Sequence, residues 1–123
     1  MRNMNYLVIA FQVIVGISLL NVWLLQSKKA TRWRGGNATT IMEEFKVYGL
    51  SAMVCYIVGF IKVTLAILLI VAIWYPVLKQ PAALGLAALL LGSVAMHLKI
   101  KDPLFKSFPA ALFLIMCLFI AFF

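Results

Sequence analysis

The sequence predicts an all-α membrane protein, a transmembrane up-down four-helix bundle with a short interfacial helix in its first loop. Three observations carry that expectation. Hydrophobic residues make up 66% of the 123-residue chain and charged ones 11%, too little polar surface for a water-soluble domain of this size. Apolar stretches at about 6–25, 50–75, 81–99 and 104–123 each approach the roughly 20 residues that cross a bilayer. Of the 11 Lys and Arg residues, all but Lys62 lie at or beyond the ends of those stretches. The length suits one domain, 1–123. Backbone groups in lipid must bond internally, so the spans are helices rather than open strands.

The first stretch, 6–25, reads as a retained span. Its apolar region is too long for a signal peptide and no A-x-A-like site follows. Tyr6, Trp23, Trp74 and Tyr75 are expected at headgroup level. The loop 26–49 follows. Thr40-Ile-Met-Glu43 fits a capping box, in which hydroxyl and carboxylate satisfy opposing backbone donors. It should launch a short helix over 41–48, with Ile41, Phe45 and Tyr48 on one side, suited to the headgroup plane. Gly49 can break it from the second span.

Ahead of that helix, "RWRGGN" offers Arg32 and Arg34, whose guanidinium groups match phosphate bidentately. With Glu43 and Glu44 they form the headgroup or anion candidates. The bland reading is a solvated basic turn. Asn37-Ala-Thr39 is a glycosylation sequon that would be silent on a cytoplasmic loop.

In the second span, Ser51, Cys55, Gly59, Lys62 and Ala66 share one helical stripe. Small residues permit close helix approach, so the stripe should face the bundle. Gly85, Ala88, Gly92 and Ala95 are expected to form the matching face of the third span. Lys62 would then point inward, where a lysine costs ~2.5–3.5 kcal/mol. Either end of the span is roughly 18 Å away at helical rise, too far for easy snorkelling. Gln12, Asn21, Ser93 and His97 are its candidate partners in a ligand site. His97 is suited to carrying protons or binding a quinone-like carbonyl. The alternative is a structural lysine bonded to carbonyls, with an interfacial histidine.

Asp102-Pro103 reads as an N-cap with proline at the first helical position. Pro109 should kink or restart the fourth span. Cys55 and Cys117 lie in apolar runs and are expected to be buried thiols. No spacing suggests a metal site or a Ser-His-Asp arrangement, so no metal is expected. There is no phosphate loop or dinucleotide fingerprint. The net charge of +8 flanks apolar segments, so anionic lipid headgroups rather than nucleic acid are the expected partners. The first and third connections carry Lys28, Lys29, Arg32, Arg34, Lys46, Lys99, Lys101 and Lys106, against Arg2 and Lys79 opposite. That asymmetry places those two connections in the cytoplasm and both termini outside.

The stretch "GFIKVTLAILLIVAIWYPVLKQPAALGLAALLLGSVAMHLKIKDP" resembles the DoxX-like membrane proteins. The shared features are a glycine and a polar residue in the second span, a proline turn, and a small-residue third span ending in histidine. "RGGNATTIMEEFKVYG" is similar to the first loop of one subgroup. The resemblance implies a four-helix membrane bundle. Founding relatives are associated with quinone-linked sulfur oxidation and terminal oxidases, while distant relatives resemble assembly factors or cargo receptors. Relatives with thiol redox chemistry use paired cysteines, which this chain lacks. Two expectations follow. One is an accessory subunit of a membrane redox system that binds a quinone- or lipid-like ligand. The other is a non-catalytic chaperone or scaffold that grasps other transmembrane helices, as further subunits or as a homo-oligomer. A narrow transport path is a third option.

Overall fold

Long apolar runs leave the backbone no bonding partner but itself, and helix is the outcome throughout. The computed structural model of the chain describes residues 2–25, 28 and 34–123. Arg32, with Trp33 beside it, lies outside the described residues. Helix α1 spans Arg2–Leu20 and widens into a π-helical turn, Asn21–Leu25. Helix α2 is Ile41–Val47, α3 is Ala52–Val71, α4 is Lys79–Lys99 and α5 is Phe108–Phe122. A 3-10 turn, Pro76–Leu78, precedes α4, and another, Leu104–Ser107, precedes α5. Pro109 sits in the first turn of α5, where its missing N–H costs nothing. Four helical segments are long and apolar enough to cross a membrane among the described residues, Asn5–Leu25, Ala52–Val71, Pro76–Lys99 and Leu104–Phe122. The chain is a multi-pass membrane protein.

Helix α1 packs against α3 and α5, and α4 packs against the same two, so the long helices stand at the corners of a square. The main core includes Val15, Leu19, Ala66, Leu69, Leu86, Leu90, Cys117 and Ile120. Ala82, Ala83 and Ala87 on the buried face of α4 allow close approach of its neighbours. A second, smaller cluster of Ile41, Phe45 and Cys55 joins α2 to α3, with Trp23 packed against it. The apolar side of α2 therefore faces protein rather than lipid. Cys55 and Cys117 are both buried free thiols, in different clusters.

The stripe on α3 is buried from Cys55 through Gly59 and Lys62 to Ala66. Its expected partner on α4 is not: Ala88, Gly92 and Ala95 are exposed, and the buried face is instead Ala82, Ala83, Leu86, Ala87, Leu90 and His97. Many α4 residues are small, so small size did not distinguish a face there. Gly85 meets α3, with a Cβ there falling 2.9 Å from Leu65 Cδ1, while Ala88 and Gly92 line a cavity beside Lys62.

Helix ends explain how the polar groups are delivered. Thr40 Oγ1 accepts from the Glu43 N–H at 3.1 Å, as a capping box requires. The Glu43 carboxylate, however, takes the Thr39 N–H at 2.8 Å and the Thr39 hydroxyl at 2.7 Å, one residue earlier than expected. Helices α2 and α4 both close with paired bonds from i to i−3 and i to i−5. Gly49 and Leu50 donate to Lys46 and Phe45, and Lys101 and Asp102 donate to Leu98 and His97. The left-handed position is Gly49 (φ 85°) in one and Lys101 (φ 59°) in the other.

Close packing of α1 on α3 depends on Gly16, where a Cβ would fall 2.5 Å from Ile70 Cγ1 and 3.2 Å from the Ala66 carbonyl oxygen. Gly16→Leu should destabilise the bundle by about 1–3 kcal/mol through overpacking. Gly92→Leu, in open space within 4 Å, should leave stability unchanged. Thermal unfolding of both variants in detergent checks this.

Candidate functional site

Lys62 is 7% exposed, and its ammonium donates to Ser93 Oγ at 3.2 Å. Ser93 in turn donates to the Leu89 carbonyl at 3.3 Å, so its oxygen is free to accept. The Trp23 ring lies beneath the ammonium, 5.4 Å from Nζ to the centroid, a cation–π distance. Trp23 was expected at the headgroups as an anchor. The π-helical turn instead lays its ring half-buried across Gly59, where a Cβ would fall 2.8 Å from Trp23 Cζ3. Gly59 is thus needed for the ring to reach Lys62.

Two cavities share a wall made by Trp23, Arg34, Glu44, Lys62 and Ser93. One, of about 260 Å³, extends between α2, α3 and α4 past Phe45, Tyr48 and Met96. The other, of about 320 Å³, extends between α1, α4 and α5 past Asn21, His97, Lys106 and Phe113. Lys62, Ser93, His97 and Asn21 are therefore brought around one space. Gln12 is not among them. It is buried and donates to the Leu69 carbonyl at 2.9 Å, two helical turns along α3 from Lys62. A depth count from span midpoints misplaces it because the spans do not share one midplane.

The first loop folds inward over this space. Arg34 is buried, with Nη1 3.9 Å from Glu44 Oε2. Burial lowers the Arg34 pKa and the Glu44 charge partly restores it. Tyr48 donates its hydroxyl proton to Glu44 Oε1 at 2.6 Å and sits 3.4 Å from His97 Nε2. Burial first, and then the Glu44 carboxylate, push the Tyr48 hydroxyl far above its usual range, so it stays a neutral donor. Glu43 remains on the surface, its carboxyl held below the ordinary range by the Thr39 N–H and hydroxyl. Of the headgroup candidates, Arg34 and Glu44 face inward and Glu43 outward.

Asp102 is not a helix cap. Pro103 is extended (φ −54°, ψ 144°), and helical geometry starts only at Leu104. The closing turn of α4 folds Asp102 back over His97 instead. Its Oδ2 lies 2.8 Å from His97 Nδ1, so the imidazole presents Nε2 toward Tyr48. Asp102 also accepts the Gly36 N–H at 3.0 Å, while Lys106 donates to the Gly36 carbonyl at 2.7 Å. Both backbone groups of one glycine (φ 55°) are thus clamped by the third connection. Lys99 adds a bond to the Tyr48 carbonyl at 3.0 Å. The first and third connections lie at the same end of the bundle, joined by these contacts. Burial opposes ionisation of Asp102, but the bonds from His97 and Gly36 and the Lys106 charge outweigh it and hold the carboxyl below 3.8.

The result is a hydrogen-bonded line, Glu44–Tyr48–His97–Asp102, whose Tyr48 and Asp102 members were not expected from local pattern. The i, i+4 spacing of Glu44 and Tyr48 was the one available signal. Among the described residues, no three His, Cys, Asp or Glu side chains group as metal ligands. The arrangement can hold a hydrogen-bond-accepting molecule against Lys62 and deliver or take a proton at His97 Nε2.

Comparison with known families decides the lineage. Residues 32–120, well over half of the chain, match the DoxX-like family. The chain belongs to the DoxX-like family. No curated protein and no solved structure matched the chain. The family match covers the inward-folded loop, Lys62 and the whole of the Tyr48–His97–Asp102 line.

Asp102→Asn should release the Gly36 clamp and cost about 1.5–3 kcal/mol, the range for hydrogen bonds to a charged group. Because the folded carboxyl lies below its ordinary value, its contribution is full above about pH 3.8 and is lost as pH falls through the lower folded pKa. Unfolding midpoints from pH 6 down to 2.5 should show a larger acid-side loss in the native chain than in the variant, where Glu43 still contributes one.

Proposed function

We propose that this DoxX-like protein is a ligand-binding membrane subunit. It holds a lipid-soluble molecule of the quinone or lipid class beside Lys62, as an accessory to a membrane redox system. The single observation behind the reading is a lysine buried at mid-span, lining two cavities, whose ammonium donates to one serine hydroxyl. Intramembrane ionisable groups are costly and mark functional pathways by default. An ammonium has three donors, and Ser93 and the Trp23 face leave capacity for a ligand oxygen. Asn21, Ser93 and His97 complete the polar side of the site, and Asp102 and Tyr48 hold the His97 ring in place.

A second reading is a scaffold that binds other transmembrane helices, partner subunits or a second copy. It is favoured by Ala95 standing exposed on α4, where a helix could approach closely. One experiment separates the two. After gentle extraction, retained lipids and proteins are measured by mass spectrometry for the native chain, Lys62→Met and Ala95→Ile. The ligand reading expects Lys62→Met to fold, since it removes an expensive charge and keeps the length, and to lose the retained small molecule. The scaffold reading expects Ala95→Ile to lose co-extracted protein while Lys62→Met changes nothing.

In this reading the joined first and third connections face the cytoplasm, both termini lie outside, and the basic residues of that end meet anionic headgroups. The support is the eight-to-two distribution of Lys and Arg. Asn37→Cys, on an exposed turn, should react with an impermeant maleimide only after cells are permeabilised. Labelling of intact cells would reverse the orientation.

A further inference from the structure

The chain has three acidic side chains in all, Glu43, Glu44 and Asp102. Each already has partners of its own, and Glu44, although it lines the same cavities as Lys62, makes no ion pair with it. Glu43 is on the surface, bound to Thr39. Glu44 accepts from Tyr48 and faces Arg34. Asp102 accepts from Gly36, contacts His97 and lies 3.8 Å from Lys106. Of the three cations on the larger shared cavity, Arg34 and Lys106 each face a carboxylate, and Lys62 faces none within salt-bridge distance. No other residue of the chain has a carboxylate side chain to supply.

A buried ammonium is costly unless an opposite charge meets it. A neutral carbonyl satisfies one donor and leaves that cost standing. The remaining wall of the cavity is apolar, with Leu19, Leu90, Ala110 and Phe113 contributed by α1, α4 and α5. We propose that the Lys62 site takes an amphiphile with an anionic oxygen-bearing head, a carboxylate or phosphate, whose apolar tail lies between α1 and α5. The head sits against Lys62 Nζ, with Asn21 and Ser93 beside it, and supplies the direct ion pair that Lys62 does not make with Glu44. This rests on the ligand-binding reading and narrows it from a carbonyl to an anion.

Trp23, 5.4 Å from Lys62 Nζ, is a built-in reporter. The test uses a variant that keeps Trp23 alone (Trp33→Phe, Trp74→Phe) in lipid nanodiscs at pH 8. Fluorescence quenching is titrated with 9,10-dibromostearate, with its methyl ester, and with phosphatidylglycerol carrying brominated chains. An anionic probe should quench at about tenfold lower mole fraction than the ester, a preference of about 1.4 kcal/mol. That preference should vanish in the Lys62→Met background. Which anionic probe shows it separates a free acid from a bilayer lipid. Equal quenching by acid, phosphatidylglycerol and ester in the Trp23-only chain, lost with Lys62, would overturn the anion and leave ligand binding standing. Quenching by all three probes that ignores Lys62→Met would overturn both. The acid-to-ester comparison within the unaltered Lys62 background holds even if the methionine variant misfolds.

Discussion

A buried ammonium with no carboxylate in salt-bridge contact governs the loop end of this bundle. Lys62 is buried at mid-span, and the structure surrounds it with what polar and π-electron capacity the neighbouring helices have. The demands spread outward. Gly59 must be small so that Trp23 can lie under Nζ, and α1 must widen into a π-helical turn at Asn21–Leu25 as the ring is delivered. Helix α2 must lie against α3, closing the site with Phe45 and Tyr48. Toward the opposite end Leu69, Leu86 and Ile120 pack as apolar core, with the buried Gln12 bonded to the Leu69 carbonyl.

Two kinds of contact build the polar end. Glu44–Tyr48 and His97–Asp102 are local, set by one helical turn and by one helix-closing turn. Gly36–Asp102, Lys62–Ser93 and Tyr48–His97 join segments 66, 31 and 49 residues apart. The local pairs orient each side chain before the distant contacts need it. Nδ1 of His97 is held by Asp102, and the Tyr48 hydroxyl by Glu44, so little side-chain entropy remains to be lost when the two meet.

That division also explains what the sequence made legible. The spans, the α2 start and the inward face of α3 follow from composition, a cap motif and helical spacing, all local properties. The inward fold of the first loop was not readable, because it depends on Asp102 meeting Gly36 across the chain. Asp102 was misread for a further reason. A helix-closing turn announces itself by glycine at the left-handed position, as at Gly49, and here a lysine, Lys101, occupies it. The dipeptide Asp-Pro then looked like a helix start. On α4, small residues surround the helix, so size alone did not single out the buried face. For Gln12, span midpoints were a poor ruler for depth.

The order of the chain gives the lysine a history as well as a place. Membrane proteins are made from the N-terminus, so α3 reaches the membrane before α4 can pack against it. During that interval Ser93 is not yet beside Lys62, and the lysine enters the membrane without it. The insertion cost of a central lysine, about 2.5–3.5 kcal/mol, is opposed by the Leu, Ile, Val and Phe residues that fill the rest of α3, each worth about 0.3–0.6 kcal/mol. The unbroken hydrophobicity of that helix is therefore a requirement of biosynthesis, beyond anything the finished bundle asks of it.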